Sequence, residues 1–347
     1  ITVPFFHNAA GRLPDWAPKV SAAPWANKGP TDIYAFDGYP GGSCNVFADP
    51  SGPNKAPDWG IYAQPGPKAG SLSSPNTPGF AAELGAGWFD YWGSNGTYEC
   101  TAERQGKGFQ RVFYGTNLIN RITIHNVYMT FGGTSWGWLG GPVVYTSYDY
   151  GAPISEDRGL RPKALALKQQ GMMVQAAEQA LAQMDKGPVI AASSNKVKVY
   201  HNVNPALGAH VLLAVHSPSD LLTDDSFTFD LATKDGSYKV PLRLNGQDAK
   251  MLLAAYPLER QHLVYSTSEL QTHFRNGERD IANGARRVRD DGDAGDRTVD
   301  QRPRRLRGAV GHVVLREDRA RQRRGPRAWC ARGRTPAAAP PPPPPPP

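Results

Sequence analysis

The sequence predicts an α/β region followed by an all-β domain, and three observations carry that prediction. Residues 122–131 place apolar side chains on both parities of a strand, which suits a strand covered on both faces in a parallel sheet. Residues 161–185 repeat apolar or small side chains every three or four positions, the period of a helix. Beyond Pro188, five short runs rich in β-branched and aromatic residues follow one another at intervals of roughly 8–15 residues, as in antiparallel sheets. The chain has 347 residues, room for about two domains, and 39% hydrophobic with 10% aromatic residues is enough to fill their cores.

Taken in order, the first strands are expected at residues 1–6, 32–37, 79–84 and 122–131, in a stretch rich in Gly, Pro, Trp and Tyr. The chain opens on Ile1-Thr-Val-Pro-Phe-Phe6, a strand already under way, with no Met and no basic or apolar leader; a processed product or a fragment is expected. The segment between Pro40 and Pro78 is Pro- and Gly-rich and reads as a long loop. The helix over 161–185 has Pro162 in its first turn and Gly187-Pro188 as its stop. Its predicted buried stripe is Leu167, Gly171, Val174, Ala177, Leu181 and Met184. The strands of the second domain are expected at 196–203, 210–216, 226–231, 237–242 and 250–256, each bounded by Asn, Asp, Gly or Pro.

Charge divides the chain differently. Residues 281–347 hold 16 Arg, no Lys and 7 acidic residues, a net of +9, and end in eight prolines. The other 280 residues hold 23 basic and 24 acidic side chains, a net of −1. The basic balance belongs to the tail, so the body gives no support to a nucleic-acid surface. An Arg-rich binding tail or a polyproline ligand are the functional readings of residues 281–347. With no persistent period and almost no aromatics, the segment is expected to be a disordered end that reads like coding sequence translated out of register. No apolar run approaches the ~18–20 residues of a membrane span. Three cysteines, at 44, 100 and 330, allow one bridge and one spare thiol.

Four segments carry a resemblance. Asp32-Ile-Tyr-Ala-Phe-Asp-Gly-Tyr-Pro40, Glu83-Leu-Gly-Ala-Gly-Trp-Phe-Asp-Tyr-Trp-Gly93, Tyr128-Met-Thr-Phe-Gly-Gly-Thr-Ser-Trp-Gly137 and Tyr145-Thr-Ser-Tyr-Asp-Tyr-Gly151 resemble, in order, the later barrel strands and loops of glycoside hydrolase family 35 β-galactosidases. In the second domain, His201-Asn-Val-Asn-Pro205, Leu244-Asn-Gly-Gln-Asp-Ala-Lys250 and Leu263-Val-Tyr-Ser-Thr-Ser-Glu-Leu270 are similar to the large secreted members. Ser135, Gly85 and Gly38 depart from the family's usual Asn, Gln and Ser.

The resemblance implies the C-terminal half of a (β/α)8 barrel over residues 1–187, a truncated antiparallel β domain over 188–280, and a disordered tail over 281–347. It implies a retaining hydrolase acting on terminal β-D-galactose in a galactoside, oligosaccharide or polysaccharide, with no metal or organic cofactor and an extracellular location. Nucleic acid and membrane are not expected as partners. Retaining hydrolysis needs two carboxyl groups roughly 5–5.5 Å apart, one nucleophile and one acid/base. By the resemblance Glu83 is the nucleophile; from spacing alone a lone Glu at a strand end is more often a solvated carboxylate. Tyr128 and Tyr150 match sugar-binding tyrosines, and Tyr39, Trp136 and Trp138 are candidates to line the pocket. Cys44 and Cys100 correspond to a disulfide between two loops, and Asn95-Gly-Thr97 is a glycosylation sequon. The family's acid/base Glu stands in an Asn-Glu-Tyr-Gly context that does not occur in this sequence. The expectation is a chain inactive alone, and the alternative a non-catalytic galactose-binding or structural remnant.

Overall fold

The structure, a computed structural model, describes residues 3–9, 29–39, 44, 77–90, 92, 98–141, 144–277, 279–284 and 313–317. Four parallel strands lie side by side in chain order: β1 (Phe6–Ala9), β2 (Ile33–Gly38), β3 (Gly79–Gly85) and β4 (Ile122–Tyr128). Parallel neighbours need a long crossover, and the one from β3 to β4 contains α1 (Tyr98–Arg104) and α2 (Lys107–Ile119). Tyr34 and Phe36 of β2 point into a core with Phe109, Val112 and Phe113 of α2. The Tyr114 hydroxyl of α2 donates to the Leu84 carbonyl at 2.8 Å and pins the helix to β3.

Three expectations for this half need correction. The first strand runs over Phe6–Ala9 rather than residues 1–6. β4 stops at Tyr128 because Met129 turns the chain with φ 65. It is not covered on both faces either: among the described residues it ends the sheet, and of its side chains only Ile122 is fully buried. Neither α1 nor α2 was anticipated.

After β4 the chain makes a small ladder, β5 (Gly133–Thr134) with β6 (Ser147–Tyr148), before α3 (Pro162–Ala176) and α4 (Glu178–Leu181). The single helix expected over 161–185 is broken at Ala177, whose φ is −111. The cause is local. The Ala176 carbonyl accepts from the Tyr256 hydroxyl at 2.9 Å and from His273 Nε2 at 3.0 Å, and the Ala180 N–H bonds the Ala177 carbonyl instead. The buried stripe is also offset at its start: Lys163, Ala166 and Met173 are buried while Gly171 is exposed. Ala177, Leu181 and Met184 are buried as expected.

Asp185, expected to end the helix, instead opens β7 (Asp185–Lys186). The five expected strands follow as β8 (Val197–Asn204), β9 (Ala209–His216), β10 (Asp224–Thr233), β11 (Gly236–Asn245) and β12 (Ala249–Pro257). Four more complete the unit: β13 (Gln261–Ser266), β14 (Leu270–Asn276), β15 (Arg279–Gly284) and β16 (Val313–Glu317). One sheet has the order β16-β13-β12-β9-β8-β7; β10 and β11 form a long hairpin, β14 and β15 a shorter one. Alternation across the central strands builds two cores. Val211, Leu213, Met251 and Leu253 face the core shared with α2, while Leu212, Ala214, Leu252 and Ala254 meet Phe227, Phe229 and Leu242 of the hairpin.

The tail expectation is corrected in part. Within residues 281–347, β15 continues to Gly284, and β16 pairs antiparallel with β13 from Gln261↔Glu317 to Ser266↔Val313. The rest of that segment, including Cys330 and the prolines, lies outside the described residues. So do Asn95 and most of the segment between Pro40 and Pro78.

Candidate active site

Parallel sheets hold strand ends rigid while leaving the loops beyond them free to vary, so their carboxyl edge is where functional groups collect. Here Asn8 stands near the end of β1, Tyr39 just past β2, Glu83 near the end of β3 and Tyr128 at the end of β4. The register sets Asp37 opposite Glu83 and Gly85 opposite Tyr128.

Both oxygens of the Glu83 carboxylate accept hydrogen bonds. Asn8 Nδ2 donates to Oε1 at 2.9 Å, and the Tyr39 hydroxyl donates to Oε2 in a short bond. The two donors fix the plane of a half-buried carboxylate from opposite sides. The Tyr39 ring meets Trp88 edge-on at 5.3 Å and Tyr128 at 5.9 Å. Tyr128 meets Tyr150 at 5.5 Å, Tyr150 stacks on Tyr148 at 5.6 Å, and the hydroxyls of Tyr128 and Tyr148 lie 3.3 Å apart. Burial, then the Glu83 carboxylate beside it, pushes the Tyr39 phenol above its ordinary value. Burial also raises Tyr150, helped by Tyr39. These phenols therefore stay protonated at neutral pH and act as hydrogen-bond donors beside the carboxylate.

The loops carrying these groups are locked to each other. A Cβ on Gly87 would fall 1.7 Å from the Tyr150 carbonyl oxygen, so only glycine admits the contact in which the Trp88 N–H bonds that oxygen at 3.0 Å. Tyr150 itself holds φ 66. Asp149, next to it, accepts from the backbone N–H of Gly151 at 3.0 Å and of Glu156 at 2.8 Å, and pairs with Arg161 at 2.9 Å. A carboxylate so engaged makes the turn before Tyr150 rigid.

Of the residues singled out from sequence, Glu83, Tyr39, Tyr128 and Tyr150 come together. Trp136 does not join them: it sits on a 3-10 turn over Trp136–Trp138, 93% exposed, with Trp138 79% exposed beside it. Cys44 and Cys100 are joined, Cα to Cα 5.8 Å, across a separation of 56 residues. Sequence reasoning missed Asn8, Asp37, Trp88 and Tyr148. Tyr148 lay inside the segment that carries Tyr150, and Trp88 inside the Glu83 segment. A separate open cavity of about 530 Å³, lined by Glu99, Asp149, Ser155, Glu156, Asp157 and Arg161, contains none of the four.

Known proteins match this chain in both halves. Residues 16–174 match glycosyl hydrolases family 35, and residues 180–282 match β-galactosidase domain 2. The chain is 31% identical over 279 residues to a probable β-galactosidase C of Aspergillus flavus, covering 79% of this chain and 27% of that protein. It is 30% identical over 287 residues to a probable β-galactosidase C of Aspergillus niger, covering 81% and 27%. It is 32% identical over 296 residues to a probable β-galactosidase B of Sclerotinia sclerotiorum, covering 81% and 28%. The chain thus spans about a quarter of the length of the curated relatives it matches. With one match that takes in β2 to β4 and a second over the strands of the following sheet, the chain belongs to family 35 of the glycosyl hydrolases.

Proposed function

We propose that this chain carries the nucleophile half of a retaining β-galactosidase site, acting on terminal non-reducing β-D-galactose in galactosides and galactose-containing oligo- or polysaccharides. The observation that carries the reading is Glu83 at the carboxyl edge of the sheet, with each oxygen held by its own donor. In this reading β1 to β4 are the last four strands of a (β/α)8 barrel, whose reactive groups stand at that edge. A Glu83 oxygen attacks the anomeric carbon as the bond to the leaving oxygen breaks, giving a galactosyl ester that water then hydrolyses. Tyr39, Tyr128 and Tyr150 supply hydroxyls and ring faces to the sugar. Trp136, being exposed, contacts the part of the substrate beyond the galactose. The protein is secreted and needs no cofactor. The acid/base carboxyl comes from an Asn-Glu-Tyr-Gly segment outside these 347 residues.

The attack step can be tested without that acid. In a 2,4-dinitrophenyl 2-deoxy-2-fluoro-β-galactoside the dinitrophenolate leaves unprotonated as the Glu83–C1 bond forms, and the fluorine slows hydrolysis of the resulting ester. Mass spectrometry should find the peptide containing Glu83 heavier by one fluorogalactosyl group, and Glu83→Gln should prevent the labelling. No label, or a label on another carboxylate, would overturn the assignment.

A further inference from the structure

We propose that Gly85 is a positioning residue: the side chain it lacks is the space in which Tyr39 lies to reach Glu83. A Cβ built on Gly85 would stand 2.6 Å from Tyr39 Cδ1 and 3.1 Å from Cε1. Real Cβ atoms do not approach a ring carbon that closely, so any other residue at 85 forces the phenol away. Gly85 needs no glycine for its backbone, since it closes β3 in ordinary extended conformation, paired with Tyr128. The requirement is for room alone.

The consequence falls on Glu83. The Tyr39 hydroxyl is the donor on Oε2, while Asn8 serves Oε1. Tyr39 cannot swing outward in compensation without leaving Trp88 and Tyr128, whose rings bracket it at 5.3 and 5.9 Å. A methyl group at 85 therefore breaks the bond to Oε2 and leaves the carboxylate held from one side only. The orientation of the carboxylate is thus set two residues away, by an absence. The inference concerns the same site as the galactosidase reading, but its first test does not depend on that reading.

The test is the titration of Tyr39 itself, followed by NMR of the full chain with 13C at the tyrosine Cζ and assigned with Tyr39→Phe. In the wild type the Tyr39 signal should remain that of the phenol as pH passes about 10, where ordinary tyrosines ionise. In Gly85→Ala its midpoint should fall by about one unit or more, as the ring moves into solvent and loses its carboxylate partner. An unmoved midpoint in a folded Gly85→Ala would overturn the proposal. A stability cycle covers the chance that this variant does not fold. Gly85→Ala should be strongly destabilising with Tyr39 present and nearly neutral in a Tyr39→Ala background, where the space is empty. Equal cost in both backgrounds would overturn the proposal too. Covalent labelling at Glu83 then separates the two readings: a shifted Tyr39 midpoint without any labelling of the wild type keeps the Gly85 role and removes the galactosidase one.

Discussion

Lys163 is 1% exposed in the first turn of α3, where a lysine on a helix would ordinarily reach water. Its ammonium donates to the carbonyl of Ala86, in the loop after Glu83, and to that of Gln105 at 2.9 Å. Burial, then the Arg161 charge, pulls its pKa down to about 7, against a partial offset from Asp149. An unfolded lysine titrates near 10.4. Between about pH 7 and pH 10 the unfolded chain therefore binds more protons than the folded one, so stability rises with pH across that window. Below about pH 7 the full cost of the buried charge is present. Lys163→Met should remove this contribution, giving a flatter dependence than the wild type in urea titrations at about pH 6, 8 and 10. Parallel curves would show that Lys163 titrates normally. Sequence could not have found this group. Lys163 occupies an unremarkable helical position, and only the fold reveals that it points inward. Glu83, Tyr39, Tyr128 and Tyr150 were legible because they sit in motif segments whose flanks match in order. Asn8 was not, because its role depends on a side-chain contact across β2 to a residue 75 positions away in sequence.

At the scale of elements, α2 was the largest miss. Gly106 precedes it, Gly108 and Gly115 lie within it, and Thr116 and Asn117 are weak helix formers, so propensity alone disfavours a helix there. Packing overrides it: Phe109, Val112, Phe113, Leu118 and Ile119 are all buried between the two sheets. Arg111 completes that placement. It pairs with Asp248 and, at 2.9 Å, with Glu269, and its second terminal nitrogen also donates to the Ala249 carbonyl at 2.6 Å. The two carboxylates in turn accept from the backbone N–H of Ala249 and Met251, both at 2.9 Å. Removing one partner from such a group leaves buried charge uncompensated, which costs about 3–5 kcal/mol. Arg111→Ala should destabilise the chain by about that amount. Arg111→Met with Asp248→Asn and Glu269→Gln should recover much of it, since the amide oxygens still accept both backbone bonds. A triple variant no better than Arg111→Ala would mean that packing of the guanidinium stem, not charge balance, holds α2. The strands β8 to β12 were legible for the opposite reason. Their alternation is read at every residue, and the two faces of β9 and β12 fill two separate cores, as period-2 patterning dictates.

The molecule as a whole joins its two sheets through one core. Tyr34 and Phe36 from the parallel sheet, Phe113 from α2, Met173 from α3 and Leu213 and Met251 from the second sheet belong to a single buried cluster. The domain boundary read from sequence at residue 188 marks a change of pattern, and contacts cross it freely. At the other side of the parallel sheet the situation reverses. Among the described residues β1 pairs with β2 alone, and Phe5 and Phe6 are 58% and 52% exposed. An unpaired strand edge bearing exposed aromatics is a surface that further strands would cover. The proposed function requires those same strands for chemistry. On that proposal Glu83 displaces a dinitrophenolate unaided, but the sugar leaving group of lactose departs as a poor alkoxide unless it is protonated. A positioned acid contributes ~10²–10⁴-fold to such a step. The expected outcome is that the 347-residue chain hydrolyses lactose at no useful rate. Extended on its N-terminal side by strands carrying Asn-Glu-Tyr-Gly, it should turn lactose over, and Glu83→Gln should abolish that turnover. Glucose release by glucose-oxidase assay is the measurement. Hydrolysis by the 347-residue chain that disappears with Glu83→Gln would mean that a carboxyl within it serves as the acid. Asp37, opposite Glu83 in the strand register, would then be the group to mutate first.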